Sequence, residues 1–445
     1  MLTTLRLLFL LPICLFCQEL EIRLSTRTPL KPVYLTGLHV PASEYDWRYF
    51  EELRAVFEFD LNTNGFSTVM PIQAGYEERL EWPDVKSDFN LTPWKKDHIP
   101  FVLAIQVLQN RLQLIAFDVE NGTSKKYPDL SLTGRIEEDR RQLHRLADTL
   151  QKDLFGVQGI ASLKILYTQR QKSGDDWISE IWVCDADGGN ARRILSEKGY
   201  CLSPGFFPPA ISKDEFYYIS FQQGQSKIYR SALNKTEGEM MVSLRGSQVL
   251  PAMNRAGTQM AFITDVAGRP DLFIQNLDAK GKMSGKARQL YSAPRATQAS
   301  PTFSPDGKRI AFVSDKDGPP RIYVLDVASP KETKRPAPRL LTKQNRENTS
   351  PAWSPDGKKL AYSAKVDGVR QIGIYDFETE EEIQITSGSE NKENPSWAPD
   401  SLHLVYNTEC EDICELYLIH LNQGEPVLIS KGGADQKRFP CWESK

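Results

Sequence analysis

The chain has 445 residues, of which 25% are charged, and a formal net charge of −3. That length accommodates two or more domains. The near balance of charge argues against nucleic acid as a partner, because a phosphate-binding footprint is basic.

The first residues, M-L-T-T-L-R-L-L-F-L-L-P-I-C-L-F-C-Q-E-L, hold one arginine and then an apolar run from Leu7 to Phe16. The run is too short to span a bilayer and fits the core of a secretory signal, placed at 1–17. Leu15-Phe16-Cys17 lacks the small residues of a usual cleavage site. A lipid anchor at Cys17 or Cys14 is the alternative, but Phe16 and Ile13 are poor residues to precede a modified cysteine, so simple export is expected. No later stretch reads as a membrane crossing, and the exported chain is expected to be soluble.

Residues 18–158 read as an α/β layer. Val33-Tyr-Leu-Thr-Gly-Leu is a strand, followed by a helix from Asp46 with Trp47, Phe50, Leu53, Val56 and Phe57 at helical spacing. Phe66 to Met70 forms a short strand, and residues 71–99 are polar and broken by prolines. Phe101 to Leu108 and Leu112 to Asp118 are two strands across the tight turn Gln109-Asn110, with a third run from Lys126 to Leu132. A helix then runs from about Ile136 to Leu154, and Gly156-Val-Gln-Gly159 joins this layer to the C-terminal part of the chain.

From residue 159 the chain repeats itself. A-S-P-T-F-S-P-D-G-K-R-I-A-F-V-S-D-K-D-G (299–318) returns as T-S-P-A-W-S-P-D-G-K-K-L-A-Y-S-A-K-V-D-G (349–368). Pro-Asp-Gly is turn chemistry: proline presets φ, aspartate caps its own backbone, and glycine takes φ > 0. With apolar runs on both sides it makes a hairpin, and the strands around Arg321–Asp326 and Pro338–Thr342 complete a four-stranded meander. The unit-opening prolines are read as Pro209, Pro251, Pro301, Pro351, Pro395 and Pro440, at intervals of 42, 50, 50, 44 and 45 residues. Four-stranded propeller blades repeat at about 40–50 residues. The last unit, Arg438-Phe-Pro-Cys-Trp-Glu-Ser, is cut short, while Leu163-Lys-Ile-Leu-Tyr-Thr-Gln is a second strand lacking a first. Pairing the two closes an all-β six-bladed propeller over 159–445, preceded by the small α/β domain, and leaves no open sheet edge.

Beyond the signal region lie Cys184, Cys201, Cys410, Cys414 and Cys441, an odd number that leaves at least one free thiol in an exported protein. Cys410-Glu-Asp-Ile-Cys414 reads either as a disulfide staple or as two ordinary strand-edge cysteines. A zinc site is not expected, because His403 and His420 read as lone histidines on strands.

A secretory signal, a small α/β domain, a helix running into D-L-F-G-V-Q-G-I, six S-P-D-G-type units and a terminal R-F-P-C-W-E-S strand together resemble the TolB family, the periplasmic propellers of the Tol–Pal system. The resemblance covers about 20–445. It implies a binding function in the periplasm, tied to outer-membrane integrity and to envelope constriction at cell division. The implied partners are a Pal-like peptidoglycan-associated lipoprotein on one propeller face and a TolA-like inner-membrane protein at the mature N-terminus, Glu19, Leu20, Glu21, Ile22 and Arg23, a segment that in the family either contacts that partner or folds back onto its own body. Family contacts come from the segments before the blade-opening prolines, here Ser247, Gln248, Gln298, Ala299, Ser300, Glu347, Asn348 and Thr349. Where the family carries a histidine four residues before the first such proline, this chain has Ser247. A monomer without cofactor, metal or nucleic acid is expected.

Propellers also host enzymes, so the fold alone decides nothing. A peptidase with a Gly-x-Ser-x-Gly elbow would need a motif that this sequence does not contain. A stand-alone hydrolase or a lactonase-like metal enzyme would need carboxylates converging on the axis. The acidic residues Asp175, Asp176, Asp265, Asp315, Asp317, Asp367, Glu409, Glu411 and Asp412 fall between second and third strands. They read either as turn-forming, solvated charges or as an acidic rim that steers a basic partner. The loops before the prolines and these acidic loops are expected on one face, and the Ser-Pro-Asp-Gly turns on the other.

Overall fold

The computed structural model describes residues 28–444, except 79–89, 328–336 and the single positions 175, 198, 431 and 434. The secretory signal, the segment Glu19–Arg23 and Asp175 lie outside the described residues.

The N-terminal region is a mixed sheet with helices on both faces. Its strands are β1 (Lys31–Leu35), β2 (Ser67–Val69), β3 (Phe101–Leu108), β4 (Arg111–Asp118), β5 (Thr123–Lys126) and β6 (Leu130–Ser131). The order is β2-β1-β3-β4-β5, with β6 also pairing β4. The run expected from Lys126 to Leu132 is thus two short strands interrupted before Leu130. Gln109 and Asn110 turn between β3 and β4 with φ of 50° and 58°, the left-handed pair a two-residue hairpin requires.

Four helices complete the region: α1 (Trp47–Thr63), α2 (Ala74–Glu77), α3 (Thr92–Lys96) and α4 (Ile136–Phe155). Asp46 caps α1 by accepting the Arg48 N–H, and Gly156 ends α4 at φ 73°. Phe50, Leu53, Val56 and Phe57 pack with Leu143, Leu146 and Leu150 over β1 and β3. Trp47, placed on the same stripe by spacing, is 67% exposed; it opens the helix, where the apolar stripe has not yet reached the sheet. The segment 71–99 departs from its polar reading too. Trp94 of α3 is buried with Tyr34, Tyr76, Val102 and Phe117, so this segment covers the second face of β3. β3 is accordingly buried on both sides for most of its length.

The remaining described strands form six four-stranded sheets. Blade 1 orders its strands Gln436–Trp442, Lys164–Ser173, Asp176–Asp185, Arg192–Ser196, so the C-terminal strand is the innermost of a blade begun near residue 164. Ile165 pairs Trp442 and Arg170 pairs Gln436 in antiparallel register. Blades 2 to 6 start with Cys201–Phe206, Gln248–Met253, Gln298–Phe303, Asn348–Trp353 and Asn391–Trp397. The two regular turns are built alike. Gly307 and Gly357 take φ of 69° and 78°, and the hydroxyls of Ser304 and Ser354 donate to Asp306 and Asp356 at 2.6 Å.

The opening proline of blade 2 is Pro204, not Pro209. Every inner strand carries a register shift at the same place, and the residue before the proline there has positive φ: Ser203, Leu250, Ser300, Ser350, Asn394 and Phe439, all between 44° and 54°. Pro209 stands past the end of the strand, in the turn that leads to Glu215–Ser220. The Phe-Phe-Pro-Pro run displaced the count because the true unit, Ser203-Pro204-Gly205, lacks the following Ser-Pro-Asp-Gly. The six bulges face the axis, where Pro204, Pro251, Pro301, Pro351, Pro395 and Pro440 line a cavity of about 250 Å3.

Candidate functional site

A meander sends alternate loops to alternate ends, which gives the propeller two distinct faces. The Ser-Pro-Asp-Gly turns and the loops between third and fourth strands share one end, called here the turn face. The segments before the channel prolines share the other with the loops between second and third strands. Gln298 opposes Ser314, and the Thr297 N–H donates to Asp315 Oδ1 at 2.7 Å; Ser247 N–H and Asp265 Oδ1 repeat the bond one blade earlier, also at 2.7 Å.

The turn face holds the N-terminal region. At blade 6, His403 contacts Asp400 through Nδ1 at 2.5 Å and the last-turn carbonyl of Thr63 in α1 through Nε2 at 2.7 Å. Burial works against charge on His403, but Asp400 and the carbonyl outweigh it and hold the imidazole above its usual range. His420 lies directly across the strand pair from His403, with ring centroids 4.4 Å apart. Its Nδ1 accepts the Asn422 N–H at 2.9 Å, which requires that nitrogen unprotonated, and burial together with the neighbouring His403 brings it down to about 3. The two histidines are therefore a pair, not isolated strand residues.

At blade 1 the N-terminal region returns the contact. His144 of α4, 1% exposed, binds Asp60 of α1 at 2.7 Å and lies 3.9 Å from both Asp185 and Asp187 of the propeller. Burial disfavours its charge, but Asp60 first, then Asp187 and Asp185, raise it to about 9. Arg140 reaches the same two propeller carboxylates, at 3.1 Å to Asp185 and in a short contact to Asp187. Two groups thus bring metal-capable atoms together, Asp400 with His403 and His420, and His144 with Asp185 and Asp187. In the first, both nitrogens of His403 are already engaged; in the second, Arg140 sits on the carboxylates. Both work as inter-domain pairs. Sequence reasoning missed them because the partners come from different regions of the chain, His144 with Asp185 and Asp187 in one and Thr63 with His403, 340 residues apart, in the other.

On the opposite face, three of the residues expected to meet a partner are buried. Gln248, Gln298 and Asn348 are at most 1% exposed. Each starts an inner strand and turns its amide back on its own loop: Gln248 donates to the Gly246 carbonyl at 2.8 Å, Gln298 to Ala296 at 3.3 Å, and Asn348 to Asn345 at 2.9 Å. They hold the loops rather than present themselves. Ser247, Ala299, Ser300, Glu347 and Thr349 are half-buried around the channel mouth. Two arginines that the sequence reading passed over dominate there. Arg370 lies 2.9 Å from Glu393, 3.7 Å from Glu347 and 3.0 Å from the Thr349 hydroxyl, and Arg438 lies 2.5 Å from Glu409. Burial raises the Glu393 and Glu409 carboxyls, with the arginines opposing it. A signal for Arg438 existed, since the position two before each channel proline reads Leu202, Val249, Ala299, Thr349, Glu393, Arg438.

The acidic loops divide between the two readings. Asp265 and Asp315 cap backbone N–H groups, and Asp317 accepts from the Tyr323 hydroxyl at 2.8 Å, whereas Glu411 and Asp412 are exposed. Large apolar side chains surface on this face as well: Tyr200, Val266 and Ile413 stand out on loops of blades 2, 3 and 6. The channel cavity itself is lined by prolines, serines, Leu250, Asn394 and Phe439 among others.

A family sequence model described as the TolB beta propeller domain matches residues 151–445. A TolB homolog of Protochlamydia amoebophila is 43% identical over 285 residues, 63% of this chain and 61% of that protein. A TolB homolog of Chlamydia caviae is 33% identical over 282 residues, 62% and 60% of the two chains. The chain thus spans about three fifths of the length of these curated relatives. The crystal structure of TolB from Acinetobacter baumannii superposes with a TM-score of 0.74 at 22% identity, covering 94% of this chain and 98% of that one. The chain belongs to the TolB family.

Proposed function

We propose that this chain is a periplasmic, non-enzymatic binding component of a Tol–Pal-type system. In this reading residues 18–158 and 159–445 act as two domains, and a Pal-like lipoprotein docks over the propeller face opposite the N-terminal region. A TolA-like inner-membrane protein takes the mature N-terminal segment, Glu19–Arg23, and the link between the two supports outer-membrane integrity and constriction at division. The observation that carries the reading is the division of labour between faces. Inter-domain contacts occupy the turn face, while the other presents a charged channel mouth, bordered by exposed Tyr200, Val266 and Ile413.

The test is titration of the mature chain with the soluble domain of its Pal-like lipoprotein. Glu347→Arg sets a third cation beside Arg370 and Lys365, and Thr349→Trp overfills the mouth. Each is expected to weaken binding at least tenfold while the chain still melts in one cooperative transition. Unchanged affinity in both variants would remove this face from the interaction.

A further inference from the structure

Blade 6 carries a second chemistry on the same face. Its second strand, His403–Glu409, and third strand, Leu416–His420, are joined by residues 410–415, a loop that opens on Cys410 and carries Cys414 near its end. Cys410 is exposed and Cys414 is fully buried. The Cys414 sulfur lies 3.5 Å from the Cys410 nitrogen and 3.3 Å from its carbonyl oxygen. A sulfur in contact with two backbone atoms of one residue is inside the reach of a disulfide, whose Cα atoms stand about 4.4–6.8 Å apart.

The loop is fixed from outside. Thr408 N–H donates to the Glu415 carbonyl at 2.9 Å and closes its base. The strand that completes the ring grips its far side: Lys437 N–H donates to the Cys414 carbonyl at 2.9 Å, Arg438 donates to the Cys410 carbonyl at 3.4 Å, and Gln436 bonds the Glu411 carbonyl. Arg438 Nε also points at the Cys414 sulfur from 3.4 Å, setting a cation beside the atom that must attack or leave as a thiolate. The remaining described thiols differ. Cys184 and Cys201 are buried in blade cores, where burial pushes them far above the ordinary thiol range, and Cys441 is half-buried in the closing strand.

We infer that Cys410 and Cys414 are a thiol–disulfide site whose closure locks the 410–414 loop of the open face. The exposed Cys410 thiolate attacks one sulfur of a small disulfide oxidant of the glutathione class, forming a mixed disulfide and releasing one thiol. The Cys414 thiolate then attacks the Cys410 sulfur and expels the second. Two protein thiols are oxidised, one external disulfide is reduced to two thiols, and the two protons pass to the released thiolates. The closed loop holds Ile413, Glu411 and Asp412 in one arrangement against Arg438 and Gln436; the open loop leaves Cys410 free at the surface.

The experiment needs no partner protein, so it stands or falls apart from the proposed function. The reduced mature chain is incubated with oxidised glutathione, blocked with an alkylating reagent, denatured, and cut after Glu411 by a glutamyl endopeptidase. The expected product is a pair of peptides, one ending in Glu411 and one containing Cys414, joined until a reductant is added. Cys184 and Cys201 should stay unmodified until denaturation. Cys410→Ser should abolish the joined pair, and Cys414→Ser should trap glutathione on Cys410. A stable glutathione adduct on Cys410 of the unsubstituted chain, a covalent dimer through Cys410, or two thiols that remain alkylatable would each overturn the inference.

Discussion

The two faces of the propeller are built from opposite kinds of sequence. The turn face has the regular text: Ser-Pro-Asp-Gly in blades 4 and 5, with hydroxyl and carboxylate meeting in the same bonds each time. The other face has no repeated wording beyond a carboxamide at the strand start and the bulge before the proline, yet it carries the charged mouth and the exposed apolar residues. The contrast teaches that repetition marks what every blade must do, which is to reverse the chain. What a single face must do is written in residues that differ from blade to blade. The turn face shows the same rule where it holds the N-terminal region: Asp400 keeps the turn position of Asp306 and Asp356, whereas His403, which reaches Thr63, stands where blades 4 and 5 carry Arg309 and Lys359.

The largest effect should come from the element common to both faces. Removing residues 436–445 takes the inner strand from blade 1 and leaves Lys164–Ser173 as an unpaired edge. Cooperative unfolding is expected to be lost, with aggregation at temperatures the full chain tolerates. A truncated chain that melts like the full one would end the split-blade description.

Next in size is the buried pair on the turn face. His144→Ala leaves Asp60 buried without its partner and should cost about 3–5 kcal/mol. The same histidine sets a pH dependence. Its folded value, about 9, lies above its unfolded value of about 6.5, so its contribution is complete below pH 6.5 and disappears as pH rises through 9. His420 has the opposite sign. Its value of about 3 is below the unfolded one, so its contribution is complete above pH 6.5 and shrinks as pH falls. Thermal unfolding followed from pH 5 to pH 10 should show a maximum near neutrality, and His144→Ala should flatten only the alkaline side. An alkaline limb identical in both proteins would mean that His144 is not charged in the native state.

The smallest effects separate the faces most sharply. Asn348→Ala removes the amide that ties its loop and should cost about 1–3 kcal/mol while sparing the surface. Lys308→Ala, in the most regular turn of the chain, should change stability by less than about 0.5 kcal/mol and leave partner binding intact. Lost binding in the Lys308 variant with normal binding in Glu347→Arg would reverse the assignment of faces.

Much of the architecture was legible because it is local. Pro305-Asp306-Gly307 names its own turn, Gln109-Asn110 names its own hairpin, and the truncated unit at Arg438 announces a missing partner strand. The error at Pro209 arose where local text was ambiguous: two prolines follow Phe206 and Phe207, and only the bulge geometry identifies Pro204. The site was less legible for a physical reason. Gln298 and Glu347 are both polar residues before a channel proline, and no period distinguishes an amide folded back on its loop from a carboxylate facing the channel. The clasp of His144 with Asp187, and of His403 with Thr63, depends on how the N-terminal region meets the propeller. Burial of Tyr76 and Trp94 has the same kind of cause: aromatic residues in a polar segment become core because β3 needs a second cover.

The pairing of Lys164 with Glu443 spans 279 residues, and its consequence is one of time. A chain delivered from its N-terminus presents the strands 164–196 long before the strand that completes their blade exists. Until residue 442 has emerged, the first blade waits as a three-stranded sheet with its inner edge unpaired, next to blades that can already stack. If the chain folds as it emerges, ring closure comes late, because the longest loop in the propeller must close before its contacts form. The interval before it is when the chain is most exposed to edge pairing with its own copies, and a chaperone that shields a strand edge has its natural client here.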